Sequence, residues 1–220
     1  MAAFDLDGTL VDSVPDLAWA GDEMLNRLGL PRRGEESARL FVGNGMEQFV
    51  KRMLTGEMNA EPDATILQSA VSLYKQIYAD NICNKSRLYP GVLEGLEYLK
   101  VSEVKLACIT NKASAFAEAL LEQIGLSRYF DLVVGGDTLP KRKPHPLPLQ
   151  HAAQSLNAPA SRCVMVGDSK NDVMAALAAG FKVVCVPYGY NHGDDIRRTK
   201  PDAVIDSLAE LSTLFTVPTH

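Results

Sequence analysis

The chain has 220 residues, 46% of them hydrophobic, enough for one sizeable core or a core with a smaller partner domain. Its net charge of -5 and pI near 5.4 leave no electrostatic footprint for nucleic acid, and 22% charged residues is ordinary for a soluble protein. No apolar run approaches the roughly 18 residues that span a membrane, and no basic segment followed by an apolar stretch opens the chain as a signal peptide would.

The first predicted element is a short apolar run, Ala2-Ala3-Phe4, which breaks at Gly8. Asp5 and Asp7 follow it. Side chains two apart on a strand point to the same side, so both carboxylates can face one site from the strand end and the loop after it. Carboxylates that close repel unless a cation or a shared proton offsets them. A surface turn also reads Asp-x-Asp-Gly. Only three strand residues lie ahead of Asp5, which makes this a short strand.

Residues 15 to 81 read as helical throughout. Leu17, Trp19, Ala20, Met24, Leu25 and Leu28 recur at helix-like intervals, and Gly29 stops the run. A second helix, Met46 to Leu54, follows the Gly43-Asn44-Gly45 turn. A third carries Leu67, Ala70, Val71, Tyr74, Ile77 and Tyr78 on one face.

After Tyr89-Pro90-Gly91 the period changes. A helix (Val92 to Leu99) leads to a strand (Lys105 to Thr110) and a helix (Ser114 to Ile124). Next come a strand (Leu132 to Val134), a helix near Pro148 to Leu156, a strand (Cys163 to Val166) and a helix (Asp172 to Ala179). A strand (Val183 to Val186) and a helix near Leu208 to Phe215 close the pattern. Alternating strands and helices predict an α/β fold, a doubly wound parallel sheet whose continuous apolar strands are covered on both faces. Residues 1–14 and 82–220 then form the core, and residues 15–81 an inserted helical domain. Such an insertion just past a catalytic loop suits a lid that excludes water; a decorative insertion is the alternative.

Cys108, Cys163 and Cys185 sit in apolar strand runs, and none of the four cysteines forms a CxxC pair. Buried free thiols fit a reducing, cytoplasmic compartment. Lys141-Arg142-Lys143 is the only dense basic run, and a solvated face is its default reading.

In open α/β sheets ligands bind beyond the carboxyl ends of the strands, and there this sequence is polar. Asp5 and Asp7 follow the first strand. Thr110-Asn111 ends another, and Gly167-Asp168-Ser169, with Asp172 four residues after Asp168, ends a third. Lys143-Pro144 lies between these last two. Separately, Thr110, Asp168 and Ser169 can be helix caps, Asp172 a complement to a helix dipole and Lys143 a surface lysine. Together they describe a phosphate-and-magnesium site: carboxylates and water hold Mg²⁺, while Lys143, Thr110 and Asn111 hold phosphate oxygens.

The ordered motifs Asp5-Leu6-Asp7-Gly8-Thr9, Thr110-Asn111, Lys143-Pro144 and Gly167-Asp168-Ser169 with Asp172 resemble those of the haloacid dehalogenase superfamily over the whole chain. Within it, FDLDGTLVDSVPDL (Phe4 to Leu17), FVGNG (Phe41 to Gly45), KPHP (Lys143 to Pro146), VGDSKND (Val166 to Asp172) and YGYN (Tyr188 to Asn191) resemble the phosphoglycolate phosphatase family. The resemblance implies an inserted all-α cap and a Mg²⁺-dependent phosphatase for a small phosphomonoester. It implies Asp5 as nucleophile forming an aspartyl-phosphate, and Asp7 as proton donor and then base. Mg²⁺ would be held by Asp5, the backbone carbonyl of Asp7 and Asp168, with Ser169 and Asp172 orienting water or Lys143. For 2-phosphoglycolate, the N–H groups of Gly43, Asn44 and Gly45 can receive the carboxylate; equally, that turn can simply join two helices.

A sugar-phosphate phosphatase, a mutase and a non-enzymatic phosphate-binding protein are the rivals. A mutase of this superfamily usually carries a cap histidine, whereas His145, His151, His192 and His220 all lie outside residues 15–81. A binding protein would tolerate loss of the nucleophile, which is intact. The expected partner is a small phosphomonoester, with no nucleic acid and no membrane, on a monomer or homodimer.

Overall fold

Alternating apolar side chains along short strands build the framework, seen here in a computed structural model that describes residues 1–214. Strand β1 (Ala2–Phe4) leads through a tight loop to β2 (Val11–Asp12) and helix α1 (Val14–Arg27). Helices α2 (Gly34–Phe41), α3 (Met46–Thr55) and α4 (Ala64–Ala79) follow, and the chain returns through β3 (Arg87–Leu88). Helix α5 (Val92–Val101), strand β4 (Leu106–Ile109), helix α6 (Ser114–Gln123) and strand β5 (Leu132–Val134) come next. The chain continues with α7 (Leu147–Ser155), β6 (Val164–Gly167), α8 (Lys170–Ala179) and β7 (Lys182–Cys185). Strand β8 (Ala203–Val204) and helix α9 (Leu211–Leu214) end the described residues.

Six strands form one parallel sheet in the order β5-β4-β1-β6-β7-β8. The chain winds outward from β1 through β4 to β5, then crosses back to β6, so the winding reverses beside β1. That reversal opens the crevice where ligands bind in such sheets. Ala2, Phe4, Cys108 and Val166 face one apolar core, while Ala3, Ala107, Ile109 and Met165 face the other. Helices therefore cover both faces, as the continuous apolar strands predict.

Helices α1 to α4 pack mainly against one another. Asp63 caps α4, its carboxylate accepting from the N–H groups of Thr65 and Ile66, and Gly56 in the left-handed region ends α3. Helix α2 falls within the stretch expected to be helical without having been singled out, and strands β2, β3 and β8 lie outside the sequence-based expectation. Each strand has two residues, too few for a periodic signal, and α2 buries only Ala38 and Phe41. Trp19, expected on the buried face of α1, is instead 41% exposed. The other elements agree with expectation to within three residues at each end, the usual range for helix fraying. The closing helix expected over Leu208 to Phe215 is a 3₁₀ turn (Leu208–Glu210) running into α9; Phe215 and His220 lie outside the described residues.

The chain leaves the sheet at β2 and re-enters at β3, and these two strands pair antiparallel, Val11 with Leu88 and Asp12 with Arg87. Asp16, buried in the first turn of α1, locks the junction. Its carboxylate accepts from Lys85 N (2.9 Å), Ser86 N (2.7 Å) and Ser86 Oγ (2.6 Å). Asp16→Ala leaves these donors buried without an acceptor, and is expected to lower the unfolding free energy by roughly 2–4 kcal/mol in a urea titration. A loss below about 0.5 kcal/mol, within the range of ordinary surface substitutions, would show that the junction is held elsewhere.

Candidate active site

Strand β1 ends at Phe4, and Asp5 stands directly beyond it with its N–H donated to Val166 O of β6. Its Oδ1 accepts from Leu6 N at 2.7 Å, which turns the carboxylate back over the strand end. The loop then tightens, Gly8 N bonding Val11 O and Leu10 N bonding Leu6 O. Gly8 has φ +90°, and a Cβ there would lie 2.4 Å from Asp168 Oδ2. Glycine is thus required both by the backbone and by the acid beside it.

Asp168 follows β6, the neighbour of β1, and is 2% exposed. Its Oδ1 accepts from Thr9 Oγ1 at 2.7 Å and its Oδ2 from the Tyr190 N–H. Asp172, in the first turn of α8, is fully buried; its Oδ2 accepts from Ser169 N (3.0 Å) and Ser169 Oγ (2.7 Å). Ser169 is the N-cap residue of α8, so this serine and acid organise the helix start as well as the site. One carboxylate oxygen each from Asp5, Asp168 and Asp172 lie within 4.8 Å of one another.

A single cation balances them. Lys143 belongs to the Lys141-Arg142-Lys143 run, but unlike a solvated lysine it is 3% exposed. Its Nζ donates to Asp172 Oδ1 (2.7 Å) and Ile109 O (2.6 Å) and forms an ion pair with Asp5 Oδ1 at 3.0 Å. Burial pushes the Lys143 ammonium toward the neutral form, but Asp172 and Asp5 outweigh it and the pKa rises. Burial pushes the Asp5 carboxyl up to about 7, Asp172 adding to the rise and Lys143 opposing it. Asp168 is likewise driven well above the usual carboxylate range by burial, then by Asp5 and Asp172. Three acids around one ammonium leave an excess of negative charge, and an all-oxygen donor set of this kind fits a hard divalent cation.

Asp7 stands apart from that trio. Its Oδ1 accepts from Ser13 Oγ at 2.5 Å, and Lys112 Nζ lies 3.1 Å and 3.2 Å from its two oxygens. Thr110, expected as a phosphate ligand, is buried beside Asp5 and Asp7 with its Oγ1 accepting from Lys112 N. The Asn111 side chain is spent elsewhere, donating to Gly43 O (3.0 Å) and Lys143 O (2.9 Å). Asn171 Nδ2 also reaches Gly43 O, so the turn between α2 and α3 is tied to the sheet through its carbonyl. Gly43 and Gly45 border the cavity above Asp5 and Asp7, whereas Asn44 borders a wider groove that also takes in Arg142 and Lys143.

The cavity encloses about 60 Å³, with Asp5, Asp7, Thr110 and Lys112 on the sheet side and Leu17, Phe49, Tyr74 and Tyr78 on the helical side. Sequence reasoning missed Lys112, Ser13 and Tyr190. Lys112 directly follows Thr110-Asn111, so its place beyond a strand end was the available signal. The Tyr190 hydroxyl bonds Asp12 and accepts from Val14 N, and its ring lies 5.1 Å beneath the Arg39 guanidinium. No spacing in the sequence announces such a contact.

Residues 2–186 match the model of the haloacid dehalogenase-like hydrolases, and the chain belongs to that family. It is 51% identical over 215 residues to a phosphoglycolate phosphatase of Nitrosococcus oceani, covering 98% of this chain and 96% of that one. A phosphoglycolate phosphatase of Thiobacillus denitrificans is 47% identical, over 96% of this chain and 93% of its own. Among solved structures, a predicted phosphoglycolate phosphatase from Haemophilus somnus superimposes with a TM-score of 0.92 at 35% identity, over 97% of this chain and 96% of that one.

Between the unfolded carboxylate value of 3.8 and about 7, the folded protein keeps a proton on Asp5 that the unfolded chain releases. Stability contributed by this group is therefore full at low pH and lost as pH rises through that window. In the presence of a chelator, the melting temperature is expected to fall between about pH 4 and about pH 7, and to fall less in Asp5→Asn. An equal fall in both proteins would assign the dependence to other groups.

Proposed function

We propose that the protein is a Mg²⁺-dependent phosphatase that hydrolyses 2-phosphoglycolate to glycolate and phosphate. The observation that carries this reading is the Asp5–Lys143–Asp172 chain beside Asp168, whose Asp5 end borders a small cavity together with Asp7. The names of its relatives at about half identity support the substrate.

In this reading Asp5 Oδ2, the oxygen that neither Lys143 nor Leu6 engages, attacks phosphorus. The bond from phosphorus to the glycolate oxygen breaks, and Asp7 supplies the proton that the leaving alkoxide takes. Asp7 then removes a proton from water, which attacks the aspartyl-phosphate and restores Asp5 with release of phosphate. Ser13 and Lys112 hold the Asp7 carboxylate in place for both transfers. Asp5, the Asp7 carbonyl and Asp168 would hold Mg²⁺, whose charge when bound offsets that of the carboxylates and the phosphoryl oxygens. Thr110 and Asn111 border the cavity beside Asp5, and Lys143, paired with Asp5 Oδ1, supplies positive charge next to the attacked phosphoryl group. Asp172 and Ser169 fix Lys143 and the start of α8.

Residues 15–81 act as the cap over a core of residues 1–14 and 82–220, closing the cavity against water. The Gly43-Asn44-Gly45 turn anchors that cap to Asn111 and Asn171. Its free thiols fit a reducing, cytoplasmic setting, and the substrate is a small molecule.

Asp5→Asn is expected to lower kcat for an aryl phosphate by at least about 10⁴-fold with an unchanged circular dichroism spectrum, as loss of a nucleophile does. Asp7→Asn should cost roughly 10²–10⁴-fold, the usual worth of an acid–base group. Near-normal turnover in Asp5→Asn removes the covalent route. Comparison of kcat/KM for 2-phosphoglycolate with that for sugar phosphates checks the substrate, and a preference for the sugar phosphates rejects it.

A further inference from the structure

Lys112 is the one cation among the described residues that border the cavity. It is 8% exposed, and its ammonium lies 4.8 Å from the centre of the Tyr78 ring as well as against Asp7. Tyr74 and Tyr78, on one face of α4, border the same cavity and are 2% and 1% exposed. Neither of their hydroxyls has a hydrogen-bond partner among the described residues. Buried hydroxyls left unpaired cost free energy, on the order of 1–3 kcal/mol each. Two such groups on the wall of one cavity call for a reason, and a ligand that completes them supplies one.

We propose that Lys112, with the Tyr74 and Tyr78 hydroxyls, is the receptor for a carboxylate on the substrate. The cavity thereby selects short phosphomonoesters that carry a second anionic group. This rests on the phosphatase reading given above and adds to it the residues that choose the substrate.

Charge supports the assignment. A substrate carboxylate entering beside Asp5 and Asp7 meets two acids, and only an interposed cation makes that approach favourable. Lys112 stands between Asp7 and the aromatic wall, so its ammonium can engage both carboxylates. Shape supports it too. The apolar part of the wall is Leu17, Val42, Met46, Phe49, Ala113 and Phe116, which offer nothing to the hydroxyls of a sugar, and the cavity of about 60 Å³ is small.

The test compares kcat/KM for 2-phosphoglycolate and for ethyl phosphate, which has a methyl in place of the carboxylate. The wild-type protein is expected to favour 2-phosphoglycolate strongly. In Lys112→Met that preference ratio should fall at least about 30-fold, the loss that follows truncation of one partner in a buried charge pair, whatever happens to the separate rates. Tyr74→Phe removes one oxygen from a packed ring and keeps the question open to measurement should Lys112→Met fail to fold; there the ratio should fall about 5-fold. If the wild type prefers 2-phosphoglycolate and both variants keep the ratio within about threefold, within the scatter of additive effects, this proposal alone is overturned. If the wild type shows no such preference, the substrate reading falls and this proposal falls with it.

Discussion

One buried ammonium among the buried carboxylates of Asp168 and Asp172 and the partly buried carboxylate of Asp5 is the interaction on which the rest of this structure depends. Lys143 is surrounded by Asp5, Asp172 and the Ile109 carbonyl, so its charge is distributed over groups from three separate stretches of chain. Burying ions is costly unless they are paired and hydrogen-bonded, and every oxygen of Asp168 and Asp172 has a donor. The remaining imbalance, more acid than base, is what prepares the site for a cation and for phosphoryl chemistry. The sheet brings the acids together because the winding reverses beside β1, which sets the ends of β1 and β6 side by side.

The helical segment is joined to this centre by polar groups as well as by apolar contacts such as the packing of Tyr78 on Phe116. Asp16 gathers the two chain crossings, and the Gly43 carbonyl accepts from Asn111 and Asn171. His192 Nδ1 meets the Leu40 carbonyl at 2.7 Å, and burial holds its pKa below the usual histidine value. These contacts leave the cavity lined by aromatic rings on one side and ions on the other. Specific hydrogen bonds of this kind can fix one closed arrangement while still separating in water, where each donor and acceptor finds a new partner.

Much of the fold could be read from the residues. The alternation of apolar strands with helices after Gly91 predicts the parallel sheet, and the strand ends predict where Asp5, Thr110 and Asp168 meet. Motif order pointed to Lys143, although charge patterning alone would have left it in water with Lys141 and Arg142. What escaped did so for physical reasons. Two-residue strands have no period. Asp16 and Lys112 owe their roles to chain segments 69 and 105 residues away, which local patterns do not encode. Trp19 has the spacing of a core residue but lies at the edge of the apolar stripe. Asn111 has the right chemistry to hold phosphate, yet its side-chain amide is taken by two carbonyls.

The brevity of β1 has its own consequence. With three residues, two of them alanines, this strand contributes little stiffness, and it owes its position to β4 and β6 clasping it from either flank. It behaves as a peg gripped in a slot. A slip of one residue would swing Asp5 to the opposite surface of the sheet, away from Lys143. The reactive acid is therefore aimed by its neighbours' rigidity, and any change that loosens the outer strands is felt first at its tip.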